Sequence, residues 1–436
     1  MMHGLGARDV VVVGGGPAGI AAATRAAESG ARVVLVDESP LPGGQIWRHR
    51  TDAPAAARPW LERLRRSGAT LMASSAVIDA WAEPSDDGEL LALAVERIAA
   101  GDGASAGAPS VVRTHAVVLA TGARERFLPF PGWTLPGVVG VGGAQALLKG
   151  GTSFAGRRVV IAGSGPLLLP VAAALSGAGA RVALVAEQAP LGRVAAFAAG
   201  LWRRPRALVE AARYRAGFRR TPYRVGEWVA AAHAGANGAL AAVEVTDGTR
   251  VRTLDCDLLC AGYGLVPNTE LARLLGCRTQ AGAVVVDARQ ATTRAGVFCA
   301  GEPTGIGGVD LALVEGEIAG LCAAGRDDGA AALHGRREGL RALAAAMDRA
   351  FAPRAELLAL ARPDTIVCRC EDVPLGAIEP GWSARQAKLQ TRAGMGPCQG
   401  RVCGAALELL RGWPADADSV RPPIAPASLG TLRRVQ

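Results

Sequence analysis

The sequence predicts an α/β protein with two Rossmann-like dinucleotide-binding units and a small cysteine-bearing C-terminal module. Three observations predict it. Residues 9–38, "DVVVVGGGPAGIAAATRAAESGARVVLVDE", read as strand, glycine turn, helix and strand. Residues 157–187, "RRVVIAGSGPLLLPVAAALSGAGARVALVAE", repeat that order. Four of the nine cysteines then fall between positions 368 and 403. A chain of 436 residues exceeds what one hydrophobic core usually holds, so more than one domain is expected.

In the first unit the run of valines reads as a buried parallel strand, and Gly14-x-Gly16-x-x-Gly19 opens a helix. Gly14 permits the tight turn, Gly16 lets backbone approach a pyrophosphate, and Gly19 lets the helix pack close to the strand. The helix N-terminus, with Pro17 and Ala18 in its first turn, offers positive dipole to a diphosphate. Asp37, followed by Glu38, ends the second strand where a ribose hydroxyl is expected. A GxGxxG inside a complete βαβ unit with that acid is a strong dinucleotide signal.

The second unit carries Gly163 and Gly165, but Leu168 stands where a third glycine belongs. A bulky side chain there is expected to push the helix off the strand or the turn away from a pyrophosphate. Glu187 ends its second strand, and an acid there disfavours a 2′-phosphate, so NAD is a better fit than NADP. Two readings stay open: an NAD(H) site, or a retained fold whose site is empty or holds another adenine nucleotide. Val159–Ala180 is uncharged over a membrane-spanning length, but its glycines at 163, 165, 177 and 179 and prolines at 166 and 170 read as strand, turn and helix.

Three further segments resemble two-dinucleotide-binding flavoproteins and imply FAD in the first unit. "VVLATGARE" (117–125) is similar to their strand and Thr-Gly turn, here Thr121 and Gly122. "CAGYGLVPNTEL" (260–271) resembles the return to the flavin domain. "GVFCAGEPTGIGGVDLALVEGEIAG" (296–320) resembles the late flavin motif, in which the acid after Gly301 meets the ribityl chain. That acid is Glu302, where most of the superfamily has Asp. A disulfide reductase would need a redox cysteine pair after the first unit or in the second, and neither region has one. "PGGQIWR" (42–48) stands at the first of those places, with Gly44 in the loop and Gln45 as a candidate flavin-facing group.

Cys256, Cys260, Cys277, Cys299 and Cys322 sit singly in apolar runs, the setting of inert buried thiols. Cys368, Cys370, Cys398 and Cys403 instead form a C-x-C and a C-x4-C pair in turn-rich sequence, "VCRCEDV" and "GMGPCQGRVC". Zinc sites favour wider spacing in both arms. The tight C-x-C arm suits a [2Fe–2S] cluster in which each pair serves its own iron, with structural zinc and a dithiol switch as the alternatives. Arg369, Arg392 and Arg401 lie nearby in sequence and are expected to offset cluster charge.

Taken in order, "PGGQIW", "PFPGWTLPGVVGVGGAQ" (129–145), "GSGPLLLPVAA", "CRCEDV", "TRAGMGPCQGRVC" (391–403) and "RPPIAPASLGTL" (421–432) resemble, over nearly the whole chain, the flavoprotein A (α) subunits of opine oxidases and D-hydroxyproline dehydrogenases and the B subunit of hydrogen cyanide synthase. The cysteine-rich end is similar to a bacterioferritin-associated-ferredoxin type of [2Fe–2S] domain. The resemblance implies an electron-transferring oxidoreductase subunit beside a separate FAD-bearing, substrate-oxidising sister subunit, often with a small ferredoxin-like third subunit. Against it stand a self-contained NADH-dependent reductase of a ferredoxin-type acceptor and a non-catalytic scaffold with structural nucleotide and metal.

The expected organisation is a discontinuous FAD domain (1–150 and 286–325) and a NAD-binding-like domain (151–285). A helical linker (326–364), a [2Fe–2S] domain (365–415) and an extended tail (416–436) follow. The formal net charge of +9 comes almost wholly from arginine, with Lys149 and Lys388 the only lysines. Scattered arginines and few aromatic residues argue against nucleic acid. The one basic block, 202–224, reads either as a solvated helix or as a dock for an acidic partner. No charged-then-apolar leader precedes Asp9 and no segment reads as transmembrane, so a reducing cytoplasm is expected. The histidines at 3, 49, 115, 233 and 334 show no catalytic spacing, and no catalytic residue is assigned.

Overall fold

The computed structural model describes residues 9–86, 88–98, 110–414 and 420–435. The chain divides into two compact units. The first takes Met1–Arg124, Pro267–Ala344 and Ser419–Gln436, and the second Glu125–Val266 and Ala345–Asp418.

The first unit is built on a five-stranded parallel sheet in the order Val297–Cys299, Ala116–Leu119, Val10–Val13, Val33–Val36, Thr70–Met72. Its central strand is four valines, and side chains alternate between faces. Val10 and Val12 enter one hydrophobic core with the helix Pro17–Glu28, while Val11 and Val13 enter another beneath the antiparallel sheet of Ser75–Ser85, Gly88–Arg97 and Ser110–Thr114. β-branched residues suit a strand buried on both sides. The helix Val309–Ala323 lies against Pro17–Glu28 at unusually short range. A Cβ on Gly316 would stand 2.1 Å from the carbonyl oxygen of Ala18, and one on Gly320 would stand 2.2 Å from that of Ala22. Small residues on both helices allow this approach.

The second unit repeats the plan. Its parallel sheet runs Tyr223–Val225, Arg181–Glu187, Arg158–Gly163, Leu258–Gly262, Val138–Gly140. Val160 and Ala162 feed one core, Val159 and Ile161 the other. Because Val138–Gly140 pairs with Leu258–Gly262, the division falls at 124/125 and 266/267 rather than at the expected 150 and 286. The stretch expected as a linker is divided as well, at 344/345, inside the helix His334–Ala350. The cysteine-bearing segment groups with this unit but has a core of its own, formed by Val367, Val373, Ile378, Ala387 and Leu407 around Cys368 and Cys403. The tail is not simply extended: it forms the helix Leu429–Val435. It is pinned to the first unit by Ile424 N–H to Ile78 O (2.8 Å) and Ser428 N–H to Glu96 Oε1 (3.0 Å). The basic block is helical over Pro205–Gly217, with no buried residue there. Among the described residues no helix is long and apolar enough to cross a membrane.

Glu187 closes its strand with a side chain that is 0% exposed, accepting N–H bonds from Gly165 (2.7 Å) and Ala189 (2.8 Å). Burial pushes its pKa from 4.5 to about 7, and the two backbone donors only partly oppose this.

Two outcomes follow from this packing. Gly320→Ala should cost ~1–3 kcal/mol in denaturant unfolding, since the added methyl meets backbone; an unchanged midpoint would mean that the helices can separate freely. For Glu187, the folded form holds its proton up to about pH 7, while the unfolded chain releases it near 4.5. Folding therefore becomes less favourable as pH rises through that window and levels off above it, by on the order of 3 kcal/mol. The stability difference between wild type and Glu187→Gln should show that slope, and a flat difference would contradict it.

Candidate functional site

The first glycine turn is dictated by a crossing of backbones. Gly14 has φ +103°, and a Cβ there would lie 2.2 Å from the carbonyl oxygen of Ala120. The turn is tied to its acid: Gly15 N–H donates to Asp37 Oδ2, and Ser39 N–H donates to Asp37 Oδ1 at 2.7 Å. Asp37 is half-buried, while Glu38 after it is exposed. Pro17 opens the helix, Ala18 is buried, and a Cβ on Gly19 would strike the Gly14 carbonyl at 1.7 Å. The loop of 42–48 lies on this turn. Gly43 N–H bonds Gly15 O at 2.7 Å, and the missing Cβ of Gly44 would sit 2.9 Å from Gly16 Cα. Gln45 is exposed beside them, and Trp47 is buried.

Two other segments converge here. The Thr121 amide lies 3.4 Å from where a Gly14 Cβ would be, and the Thr121–Gly122 turn is locked to Asn268. Thr121 Oγ1 donates to Asn268 O (2.7 Å), Asn268 Nδ2 to Thr121 O (2.9 Å), and Asn268 N–H to Gly122 O (3.0 Å). From the other side Gly301 is buried, its missing Cβ only 2.8 Å from Ala18 Cβ. The first turn, the 42–48 loop, Thr121–Gly122 and Gly301–Glu302 therefore form one constellation. A cradle with Cβ atoms absent at Gly16 and Gly44, a helix N-terminus and a half-buried acid at the strand end fits the diphosphate and ribose of FAD.

Glu302 also shapes the loop that follows it. Its carboxylate accepts from Gly307 N–H (3.3 Å) and Gly308 N–H (3.1 Å), just before the helix Val309–Ala323. The residue that sequence reasoning missed is Glu315. It is 0% exposed and receives Gly301 N–H (3.0 Å) and Thr304 Oγ1–H (2.9 Å) on Oε2. On Oε1 it meets Arg341 at 2.8 Å and Arg337 at 3.7 Å. It holds the late motif in shape from behind. The available signal was a lone interior acid in an otherwise apolar helix stripe, since its arginines lie more than twenty residues downstream.

The second turn copies the crossing: Gly163 has φ +157°, and a Cβ there would lie 1.8 Å from Gly262 O. The helix, however, starts at Leu168, five positions past Gly163, whereas the first starts at Pro17, three past Gly14. Leu168 is 1% exposed and takes the room that close helix–strand packing would need. Gly165 is buried, while its counterpart Gly16 is half-exposed. The five single cysteines are all buried, and burial pushes Cys256 and Cys322 up to about 12, so they offer no thiolate for disulfide exchange.

The four late cysteines do come together. Cys368 ends the strand Ile366–Cys368, and Cys403 precedes the helix Gly404–Arg411. Their sulfurs are in hydrogen-bonding contact, as are those of Cys370 and Cys398, and Cys398 N–H also donates to Cys370. Each of these cysteines thus has neighbours both across and within the arms, because the two loops face each other. Gly396 makes this possible: a Cβ there would lie 2.3 Å from Cys370 Cβ. Cys368 and Cys403 are buried, Cys370 is exposed and Cys398 intermediate. Burial pushes the Cys403 thiol up, and the neighbouring Cys368 and Cys398 sulfurs add to it. Among the described residues, no three cysteine, histidine or carboxylate side chains surround a single point as one metal ion requires. Beside the cysteines, Arg392 pairs with Glu371 (2.7 Å), Arg369 lies 5.4 Å over the Trp133 ring, and Arg401 donates to Gln399 (3.3 Å). His233 contacts Glu244 at 2.9 Å, but as an exposed cross-strand pair; His3 lies outside the described residues.

Comparison with known proteins agrees with this geometry. Residues 8–316 match the family model described as pyridine nucleotide-disulphide oxidoreductase. The opine oxidase A-subunit of Rhizobium meliloti (strain 1021) is 34% identical, over 97% of this chain and 98% of its own. Hydrogen cyanide synthase subunit HcnB of Pseudomonas aeruginosa is 33% identical, over 90% of each. Among solved structures, L-proline dehydrogenase from P. horikoshii shares the fold with a TM-score of 0.67 at 20% identity, covering 97% of this chain and 79% of that one. Thioredoxin reductase from T. acidophilum does so at 0.55 and 20%, covering 73% and 98%. The chain belongs to the pyridine nucleotide-disulphide oxidoreductase family of FAD-dependent oxidoreductases, together with HcnB and the opine oxidase A-subunit.

Proposed function

We propose that this chain is the FAD- and [2Fe–2S]-bearing electron-transfer subunit of a hetero-oligomeric amino-acid, opine or hydroxyproline dehydrogenase working in a reducing cytoplasm. The observation that carries the reading is the meeting of Cys368 with Cys403 and of Cys370 with Cys398 in a chain that also has a complete flavin cradle. FAD takes electrons in pairs, and a [2Fe–2S] centre passes them on singly.

The chain's own residues bind, shape and expose. Gly14, Gly16, Gly19 and Gly44 leave backbone bare for the diphosphate, Asp37 takes the ribose, and Thr121–Gly122 and Gly301–Glu302 frame the rest. Gln45 stands exposed at the rim of the cradle. Cys368, Cys370, Cys398 and Cys403 supply the four sulfurs. Cys368 and Cys403 are sealed in the small core, which shields that side from water. Exposed Cys370 leaves the other side near the surface, where a second protein can approach.

The names of the relatives, each a subunit, support a partnership with a substrate-oxidising sister subunit, and with a small ferredoxin-like subunit in addition. The basic block supports it physically. Trp202 is 69% exposed among arginines, and tryptophan and arginine are enriched at interfaces.

The complex, purified without air, should contain iron and acid-labile sulfide in equal amounts together with FAD. Cys370→Ser should remove the cluster's visible absorption and leave the flavin spectrum in place. Zinc without sulfide would overturn the cluster assignment. With the sister subunit present, one member of a panel of D-amino acids, imino acids and opines should bleach the flavin. The isolated chain should not oxidise these substrates, and full activity from the isolated chain would refute the division of labour.

A further inference from the structure

The family's name implies a pyridine nucleotide at the second glycine turn, and the residues there do not fit one. The space over that turn is taken by the protein's own chain. Ser164 Oγ–H donates to the carbonyl of Phe351 at 2.5 Å. Gln188 Nε2 donates to Ser164 Oγ (2.9 Å), Phe351 O (3.3 Å) and Ala352 O (3.2 Å), while its Oε1 accepts Arg354 N–H at 3.1 Å. Gln188 is 0% exposed, so this amide is enclosed between the turn and the strap and ties one to the other. The Cβ that Gly165 lacks would touch Phe351 Cβ and Cγ at 3.8 Å. That is ordinary van der Waals contact, so the phenylalanine is seated on the bare backbone where a pyrophosphate would lie. At the first turn the corresponding direction from Gly16 meets only Gly44 Cα, at 3.9 Å.

The strap is anchored on both sides. The Phe351 ring stands edge-on to Phe197, with centroids 5.3 Å apart and planes at 73°. The Arg354 guanidinium lies 4.0 Å over the Trp228 ring and pairs with Glu356 at 2.8 Å. Trp228 is 2% exposed, and Leu357, three residues on, is 1% exposed in the same core. The chemistry also matches an occupant. A glycine turn holds a pyrophosphate through donors and a helix N-terminus; here the Ser164 hydroxyl and the Gln188 side-chain amide are given to the carbonyl oxygens of Phe351 and Ala352, and Gly165 N–H to Glu187. We infer that Phe351–Arg354 is a permanent intramolecular occupant of the second dinucleotide fold, which therefore takes no pyridine or adenine nucleotide at its glycine turn. The inference is independent of the cluster and of the substrate proposed above.

The test uses the full-length, flavin-containing protein. NADH, NADPH and ATP are each titrated by equilibrium dialysis, and hydrogen exchange is followed at 164–168 and 351–354 with and without each nucleotide. The expected result is no saturable binding below millimolar concentration, slow exchange of the Arg354 amide, and no change at either segment. Saturable binding elsewhere with both segments unaltered leaves the occupied turn intact and supports the inference. Submillimolar binding that accelerates exchange at 351–354 and protects 164–168 would overturn it.

Discussion

The contact on which the first unit depends is the approach of Gly316 and Gly320 to the backbone of Ala18 and Ala22. It fixes the separation of two helices whose sequences lie almost three hundred residues apart. That separation places Gly301 against Ala18, and so brings the late motif to the first glycine turn. Glu315 sits on the same helix as the two glycines, one residue before Gly316, and reaches from there to Gly301 N–H and Thr304. A side chain at either glycine would open the helix pair and shift the late motif away from the cradle. Burying Glu315 is tolerable because Arg337 and Arg341 supply opposite charge and the remaining oxygen is fully hydrogen-bonded.

The two βαβ units show how one topology is kept open in one place and closed in another. Both cross backbones at the first glycine, Gly14 over Ala120 and Gly163 over Gly262. Both tie the turn to an acid through an amide, Gly15 to Asp37 and Gly165 to Glu187. The difference is solvent. Asp37 is half-buried and its turn is flanked by loop glycines, whereas Glu187 is sealed and carries the pKa of a buried carboxyl. A carboxyl with no exposed surface, held by the Gly165 and Ala189 amides, offers no open face to a ribose. Leu168 and the 351–354 strap then complete the closure.

Local signals in the sequence carried the turns, the acids, the alternating valines and the convergence of two cysteine arms, because each is a short pattern with a fixed geometric consequence. What escaped was long-range and chemically quiet. Phe351 bonds Ser164 across 187 positions and Arg354 bonds Gln188 across 166, and nothing in "AFAPRAE" marks it as a partner of a glycine turn. Leu168 announced that the second site was altered, but not what filled it. Spacing marked the two cysteine arms, but not that their loops face each other. The bonds from the Gly307 and Gly308 amides to Glu302 were likewise unmarked by the motif.

The distribution of burial at the cysteine centre argues for what the C-terminal segment is for. A purely structural staple gains most when all of its ligands are enclosed, since solvent access brings exchange and oxidation. Here Cys368 and Cys403 are sealed, while Cys370 faces water and Cys398 is half-covered. Enclosing two sulfurs fixes the centre to its own core of Val367, Val373, Ile378 and Leu407. Exposing the others gives up protection that a staple would keep. On the proposed reading that exposure suits electron transfer to or from a second protein, which must come close to the sulfurs.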